Sequence, residues 1–163
     1  MNVVTHLLNH PRWPLLIYAG AVREIAPETF EELFTRNQWP AAWRNGVHPF
    51  HHFHSNGHEA LGIYSGEVTV QFGGTEGKMS GVTVTAKPGD VIVLPAGTAH
   101  KKLASRGTLG VVGAYPAGSA PDTCMGFPKA DIEKILRVPL PAADPVHGAD
   151  GPLFTYWRAA SAA

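Results

Sequence analysis

The stretch Gly46-Val47-His48-Pro49-Phe50-His51-His52-Phe53-His54-Ser55-Asn56-Gly57-His58-Glu59 decides the reading of this chain. It sets five histidines, His48, His51, His52, His54 and His58, within eleven residues. In an extended strand, residues two apart point to the same face, so His52 and His54 present two imidazoles side by side. Glu59 follows His54 after four intervening residues, room for a short turn and the start of the next strand. A carboxylate brought back beside two imidazoles makes most of a metal site. Imidazole suits Zn, Cu, Fe and Ni, and mixed imidazole and carboxylate sets suit several of these. A fourth ligand has to come from elsewhere in the chain, and His100, at the end of the turn Pro95-Ala96-Gly97-Thr98-Ala99, is the candidate.

Short strands and turn signals surround this stretch from Gly46 to Pro116. His48 to His54 reads as one strand, Glu59 to Tyr64 as the next, and Gly66 as the turn into Glu67 to Phe72. Val82, Val84 and Ala86 alternate with Thr83, Thr85 and Lys87, and Pro88-Gly89-Asp90 is a turn signal. Val91-Ile92-Val93-Leu94 is a continuous apolar run, as in a strand buried on both faces. Leu109 to Tyr115 closes the set. Many short strands at regular spacing argue for an all-β sandwich or barrel.

The flanks are simpler. Residues 1 to 22 read as irregular or extended, with a short strand at Leu15-Leu16-Ile17-Tyr18. Phe30, Leu33 and Phe34 give an i, i+3, i+4 face, and Glu28, Glu31 and Glu32 load the first turns with negative charge, so a helix is placed at about 28 to 37. After the strands, Pro128 opens a helix to about Val138 with Ile132, Ile135 and Leu136 on one face. Pro139, Pro141, Pro145 and Pro152 then impose an extended tail whose Leu153, Phe154, Tyr156 and Trp157 have to wrap over the barrel or a partner subunit. Trp13, Trp39, Trp43 and Trp157 are read as packing residues.

The chain has 163 residues and a formal net charge of zero, which fits one domain and leaves no basic stripe for nucleic acid. The expected division is a single domain over 1–163, with the barrel core at about 46–116, a strand and helix in 1–45, and a helix and wrapping tail in 117–163. The single cysteine, Cys124, excludes an internal disulfide and fits a reducing compartment. No basic region followed by an apolar run opens the chain, and no window approaches a membrane span, so a cytoplasmic protein is expected.

Two spaced motifs now stand out. The first is Gly46, His52, His54, Glu59 and Gly66; the second is Gly89, Pro95, Gly97 and His100. This pattern resembles both signature motifs of the cupin superfamily, with Ala104 where the second motif often ends in Asn. Arg36-Asn37-Gln38-Trp39-Pro40, His54-Ser55 ahead of His58-Glu59-Ala60-Leu61-Gly62-Ile63-Tyr64, Val112-Gly113-Ala114-Tyr115-Pro116 and the ending around Asp144-Pro145-Val146 are similar to the YjlB-type bacterial cupins, a group without an assigned reaction. The resemblance implies a double-stranded β-helix, or jelly-roll barrel, with one helix before and one after it. It implies metal ligands at His52, His54, Glu59 and His100 around one divalent ion, which could be Fe, Mn, Ni, Co, Cu or Zn. It also implies a homodimer, since cupins of this size often pair.

Three neutral imidazoles and one carboxylate leave a divalent ion with a net charge near +1, which attracts a small anionic ligand. Each site residue also has a plainer reading. The histidines could line a degenerate pocket, and Glu59 could stand behind an imidazole rather than on the metal. Tyr115 and His58 are secondary catalytic candidates: Tyr115 as a pocket hydrogen-bond donor or a core tyrosine, His58 as a proton shuttle or a residue pointing away. His48 is a rim residue, while His51 and Phe53 are expected at the surface or an interface. Cys124 is a small buried hydrophobe or sits near the pocket mouth. Two functions compete: a small metal-dependent oxygenase, isomerase or lyase, and a non-catalytic small-molecule or metal-binding module. A secreted germin-like oxidase is weakened by the missing leader and lone cysteine, and no Ser or Cys nucleophile motif supports a hydrolase.

Overall fold

The computed structural model describes residues 2–78 and 80–162; Met1 and Ala163, the ends of the expected one-domain span, lie outside the described residues. The elements are β1 (Val3–His6), β2 (Leu15–Tyr18), α1 (Pro27–Arg36), β3 (Ala41–Asn45), β4 (His52–Phe53), β5 (Glu59–Phe72), β6 (Val82–Ala86), β7 (Val91–Leu94), β8 (His100–Ala114), β9 (Cys124–Met125), α2 (Ile132–Leu136) and α3 (Leu153–Ala162). The strands form one curled sheet in the order β1-β2-β7-β5-β8-β4-β9, with β3 also on β8 and β6 also on β5. Every pairing is antiparallel.

Two long strands form the spine. β5 has β8 along one edge and β7 and then β6 along the other; β8 has β3 and β4 on its far edge. Alternation sorts their side chains into two cores. Leu15, Ile17, Leu61, Ile63, Ile92, Leu94 and Val111 fill the inner face, with Val68, Val70 and Phe72. Leu16, Tyr18, Ala60, Val91, Val93 and Val112 face the other way, against Phe30, Phe34, Trp39, Leu153 and Trp157. The run Val91 to Leu94 is apolar throughout because each face meets a core, as its pattern implied. α1 packs close: a Cβ built on Gly62 would lie 2.3 Å from Phe30 Cδ1, so the sheet admits this helix only where a side chain is missing.

Several boundaries differ from the sequence reading. The strand expected over His48 to His54 is only His52–Phe53. Pro49 has no N–H to donate, and the His48 carbonyl instead accepts from the Lys102 N–H at 2.9 Å. The two strands expected on either side of Gly66 are one, because β8 accompanies β5 for its whole length; Gly66, at φ 69°, sits where the register shifts rather than in a hairpin turn. β8 begins at His100, not Leu109, since the polar residues from Lys101 to Thr108 pair with β5 without an apolar face to advertise them. β3 was not foreseen. The helix expected at 128–138 shortens to Ile132–Leu136 around the buried Ile135. The tail is not extended throughout: α3 is a second helix after the barrel, so the expectation of one is corrected. No helix among the described residues is long and apolar enough to cross a membrane.

Both ends of the chain meet in one aromatic cluster. The His10 ring stacks on Trp13 at 4.9 Å and Trp13 on Trp157 at 5.2 Å, while His58 lies 5.6 Å from Trp13 and 4.9 Å from Trp157. His10 Nδ1 accepts from the N–H groups of Arg12 (3.1 Å) and Trp13 (2.9 Å), which fixes a neutral ring. Burial, with the nearby Arg12 charge, holds its pKa down at about 4, whereas an unfolded chain takes up that proton near 6.5, about the free-histidine value. Between those values the unfolded state binds more protons, so stability is present above about pH 6.5 and is lost as the pH falls toward 4. Metal-free His10→Asn, which keeps an oxygen acceptor, is expected to lose less stability than the parent over this window. Urea unfolding at about pH 7.5 and about pH 5 compares the two; equal losses would remove His10 as a cause.

Candidate metal centre

The site lies at the open end of the inner core. Glu59, first residue of β5, shares its face with Leu61 and Ile63, and β5 pairing sets Phe72 opposite His100, the first residue of β8. β4 lays His52 directly opposite His100. His54 follows β4 and is held by its own backbone, its carbonyl accepting from Gly97 N–H at 2.7 Å. Ring centroids are 4.0 Å apart for His52 and His100, and 5.8 Å for His54 with either. One ligand atom from each of His52, His54 and His100 lies within 4.8 Å of the other two. All three side chains, and Glu59, are buried.

Each imidazole is oriented by a backbone carbonyl. His52 Nδ1 lies 3.1 Å from the Phe50 oxygen, His54 Nδ1 2.5 Å from the Asp122 oxygen and His100 Nδ1 2.9 Å from the Thr98 oxygen. A carbonyl can only accept, so each Nδ1 carries the proton and each neutral ring turns its Nε2 lone pair inward. Glu59 Oε2 sits 3.1 Å from His54 Nε2 and 3.4 Å from His100 Nε2. A carboxylate oxygen facing two nitrogen lone pairs is repulsive unless a proton or a metal ion lies between them; at 3.1 Å a proton bridges His54 and Glu59 as a hydrogen bond, and a metal ion in its place is the other cation these donors fit. The charges respond accordingly. Burial would raise the Glu59 carboxyl, but the hydrogen bonds it accepts when a proton sits on the His100 or His54 Nε2 outweigh that and hold it below the usual carboxylate range. Burial would lower His54, but Glu59 outweighs it and lifts the ring above its ordinary value. His52, with burial and the neighbouring His100 ring acting against protonation, stays neutral down to about 4.

The Asp122 carbonyl is itself clamped. Its side chain accepts from the Ser55 N–H at 2.7 Å, from the Ser55 hydroxyl and from Lys134 at 3.1 Å, while its N–H donates to Asn56 Oδ1 at 2.8 Å. These bonds overcome burial and keep the Asp122 carboxyl well below its ordinary pKa. α2 supplies Lys134 and packs Ile135 over Gly97, where a Cβ would lie 2.5 Å from Ile135 Cδ1. Nothing in the sequence advertised Asp122, because it acts through a main-chain atom.

A cavity of about 480 Å³ opens over the cluster, and Trp43, His48, Lys102, Tyr115 and Thr123 join the four site residues in lining it. Trp43 Nε1 donates to the Tyr115 hydroxyl at 3.0 Å, so the phenolic proton is left to point at another acceptor. Burial, with Glu59 nearby, raises the Tyr115 pKa and keeps it a neutral donor. Trp43 therefore does more than pack, although it also crosses Gly113 closely, where a Cβ would fall 2.0 Å from its ring.

The profile of the family described as Cupin matches residues 17–115. The chain belongs to the cupin family. It is 39% identical over 152 residues to the uncharacterized protein YjlB of Bacillus subtilis (strain 168), covering 91% of this chain and 88% of that one. Among solved structures it is similar to RmlC from Streptococcus suis, solved with dTDP-D-xylose, at TM-score 0.43 and 11% identity, covering 74% of this cupin and 72% of that chain. It is also similar to the 7S globulin of Momordica charantia, at TM-score 0.36 and 17% identity, covering 72% of this cupin and 33% of that chain.

The remaining histidines of the opening stretch separate by role. His58 of this cupin is not in the cavity over the cluster: its Nδ1 accepts from the Ala96 N–H at 2.9 Å, its Nε2 donates to the Pro139 carbonyl at 3.0 Å, and burial holds its pKa at about 4. Both nitrogens are committed to backbone, which makes it a rivet between the two motifs and the tail. His48 is exposed at the rim, 4.9 Å from the His52 ring. His51 is half-buried against Phe127, and Phe53, 2% exposed, is covered by β9 rather than lying at a surface. Cys124 is partly exposed on that same strand.

Proposed function

We propose that this cupin is a small mononuclear metal-dependent enzyme, of oxygenase or isomerase/lyase type, acting on a small anionic or carbonyl-containing molecule. His52, His54, Glu59 and His100 are its ligand set. The observation that carries this reading is the three converging histidines, each with a carbonyl on Nδ1 that leaves Nε2 to the cluster, with Glu59 Oε2 beside two of them. A divalent transition ion held there would supply Lewis acidity, polarising a substrate carbonyl or lowering the pKa of bound water. The chain's own groups do the rest. Tyr115 donates its phenolic proton to a substrate oxygen, Trp43 holds that hydroxyl in place, and the inner core beneath Leu61 excludes water from below.

Oxygen uptake, and turnover of keto acids, diketones and thiols by metal-loaded protein, test the proposal. The alternative, a non-catalytic binding module, draws on the lining itself, where Glu59 is the one carboxylate among the described residues and is already committed to the histidines. Retained ligand binding with no turnover in any metal-loaded form would favour it.

Asp122→Ala is expected to weaken metal binding by about 10- to 100-fold, the usual effect of losing an outer partner of a ligand imidazole. Asp122→Asn, which keeps acceptor and amide groups for Ser55, should stay within about threefold of the parent. Competition against a chromophoric chelator measures both, and an Asp122→Ala protein with parental affinity would show that His54 needs no such clamp.

A further inference from the structure

We propose that Lys102 is the anion anchor of the metal-site cavity, so that the molecule it takes carries two functions: an oxygen group directed at the ion that the inward Nε2 atoms would hold, and a second, anionic group, carboxylate or phosphate, gripped by the Lys102 ammonium. This rests on the metal reading and narrows its substrate class.

Lys102 follows His100 by two positions on β8, which sets both on one face of the strand. It lines the cavity, and among the described lining residues it is the one Lys or Arg. Its backbone is fixed on both sides: its N–H donates to the His48 carbonyl at the rim, and its Cα pairs with Val70. The register then slips, Thr69 pairing with Ala104, so Leu103 is the extra residue of a bulge immediately beyond the lysine. Such bulges re-aim the neighbouring side chains of a strand. The ion pairs among the described residues do not include Lys102. A lining lysine without a carboxylate partner among the described residues selects anions.

The two side chains leave the strand roughly 6.5–7 Å apart, which sets the scale of the ligand at a few bonds between its two functions. A four-carbon dicarboxylate or its phosphonate counterpart has that reach, and a cavity of about 480 Å³ holds it with room to spare.

The test uses Co(II)-loaded full-length protein, its loading checked by elemental analysis, titrated with butyrate, succinate and 3-phosphonopropionate while the visible Co(II) absorption is followed. The parent is expected to bind succinate about tenfold or more tighter than butyrate, the effect of one hydrogen bond to a charged group. Lys102→Met should bring that ratio near one, Lys102→Arg should keep most of it, and Lys102→Glu should invert it, all with unchanged cobalt content. If 3-phosphonopropionate outbinds succinate the anchor serves a phosphate group, and if succinate wins it serves a carboxylate. A succinate preference that survives in Lys102→Met, or no preference in the parent, overturns the anchor while leaving the metal site standing. Failure of the parent to load cobalt overturns the metal reading and the anchor with it.

Discussion

His100→Ala should fold and yet retain no metal. His100 opens β8 opposite both His52 and Phe72, and its Nε2 is one of three that converge. Removing it leaves two imidazoles, two positions apart on one segment, and frees Glu59 Oε2 from one of its two partners. The loss of affinity should exceed the roughly 10- to 100-fold that follows loss of an outer partner, because a direct donor is gone. Elemental analysis of protein expressed in unsupplemented medium reads it directly: near one equivalent in the parent and none in the variant. The backbone should survive, because the main-chain pairings of residue 100 with His52 and Phe72 do not need the ring. A His100→Ala protein that still carries a full equivalent would place the ion elsewhere.

The second large effect is on stability. Trp157→Ala empties a fully buried site that stacks on Trp13, touches His58 and donates its indole N–H to the Pro14 carbonyl at 2.9 Å. A buried Trp→Ala change costs about 3–5 kcal/mol, which for a chain of this size lowers the melting temperature by on the order of 10 °C. Calorimetry on the metal-free protein checks it without interference from ligand binding. A shift of only a degree or two would mean that α3 contributes little to holding the sheet closed.

Both large effects fall on residues of different legibility. The pairing of His52 with His54 was readable because a strand's two-residue period translates spacing into direction, and His100 joins them where the second motif put it. Tyr115 was readable as a pocket candidate for the same reason. Trp157 was recognisable as needing cover, but not as helical, since four prolines outweighed an apolar pattern that begins only after Pro152. The long polar half of β8 was invisible, because pairing alone, without burial, leaves no pattern. Lys102 is a consequence of that omission: it stands two positions from His100, and only an unbroken strand puts the two on one face. Asp122 was beyond reach altogether, since its contribution to the centre is a carbonyl oxygen that every residue possesses. His58 lay in the most histidine-rich stretch of the chain and turned out to serve the backbone of Ala96 and Pro139 rather than the cavity.

The stack of His10, Trp13 and Trp157 has a consequence for how the protein is made. Trp157 reaches back to Pro14 across 143 residues. At roughly 5–20 residues per second, on the order of ten seconds of translation separate the two. For that interval the nascent chain shows the ribosome's surroundings an uncovered indole and the apolar side of its first strands, a natural handhold for chaperones.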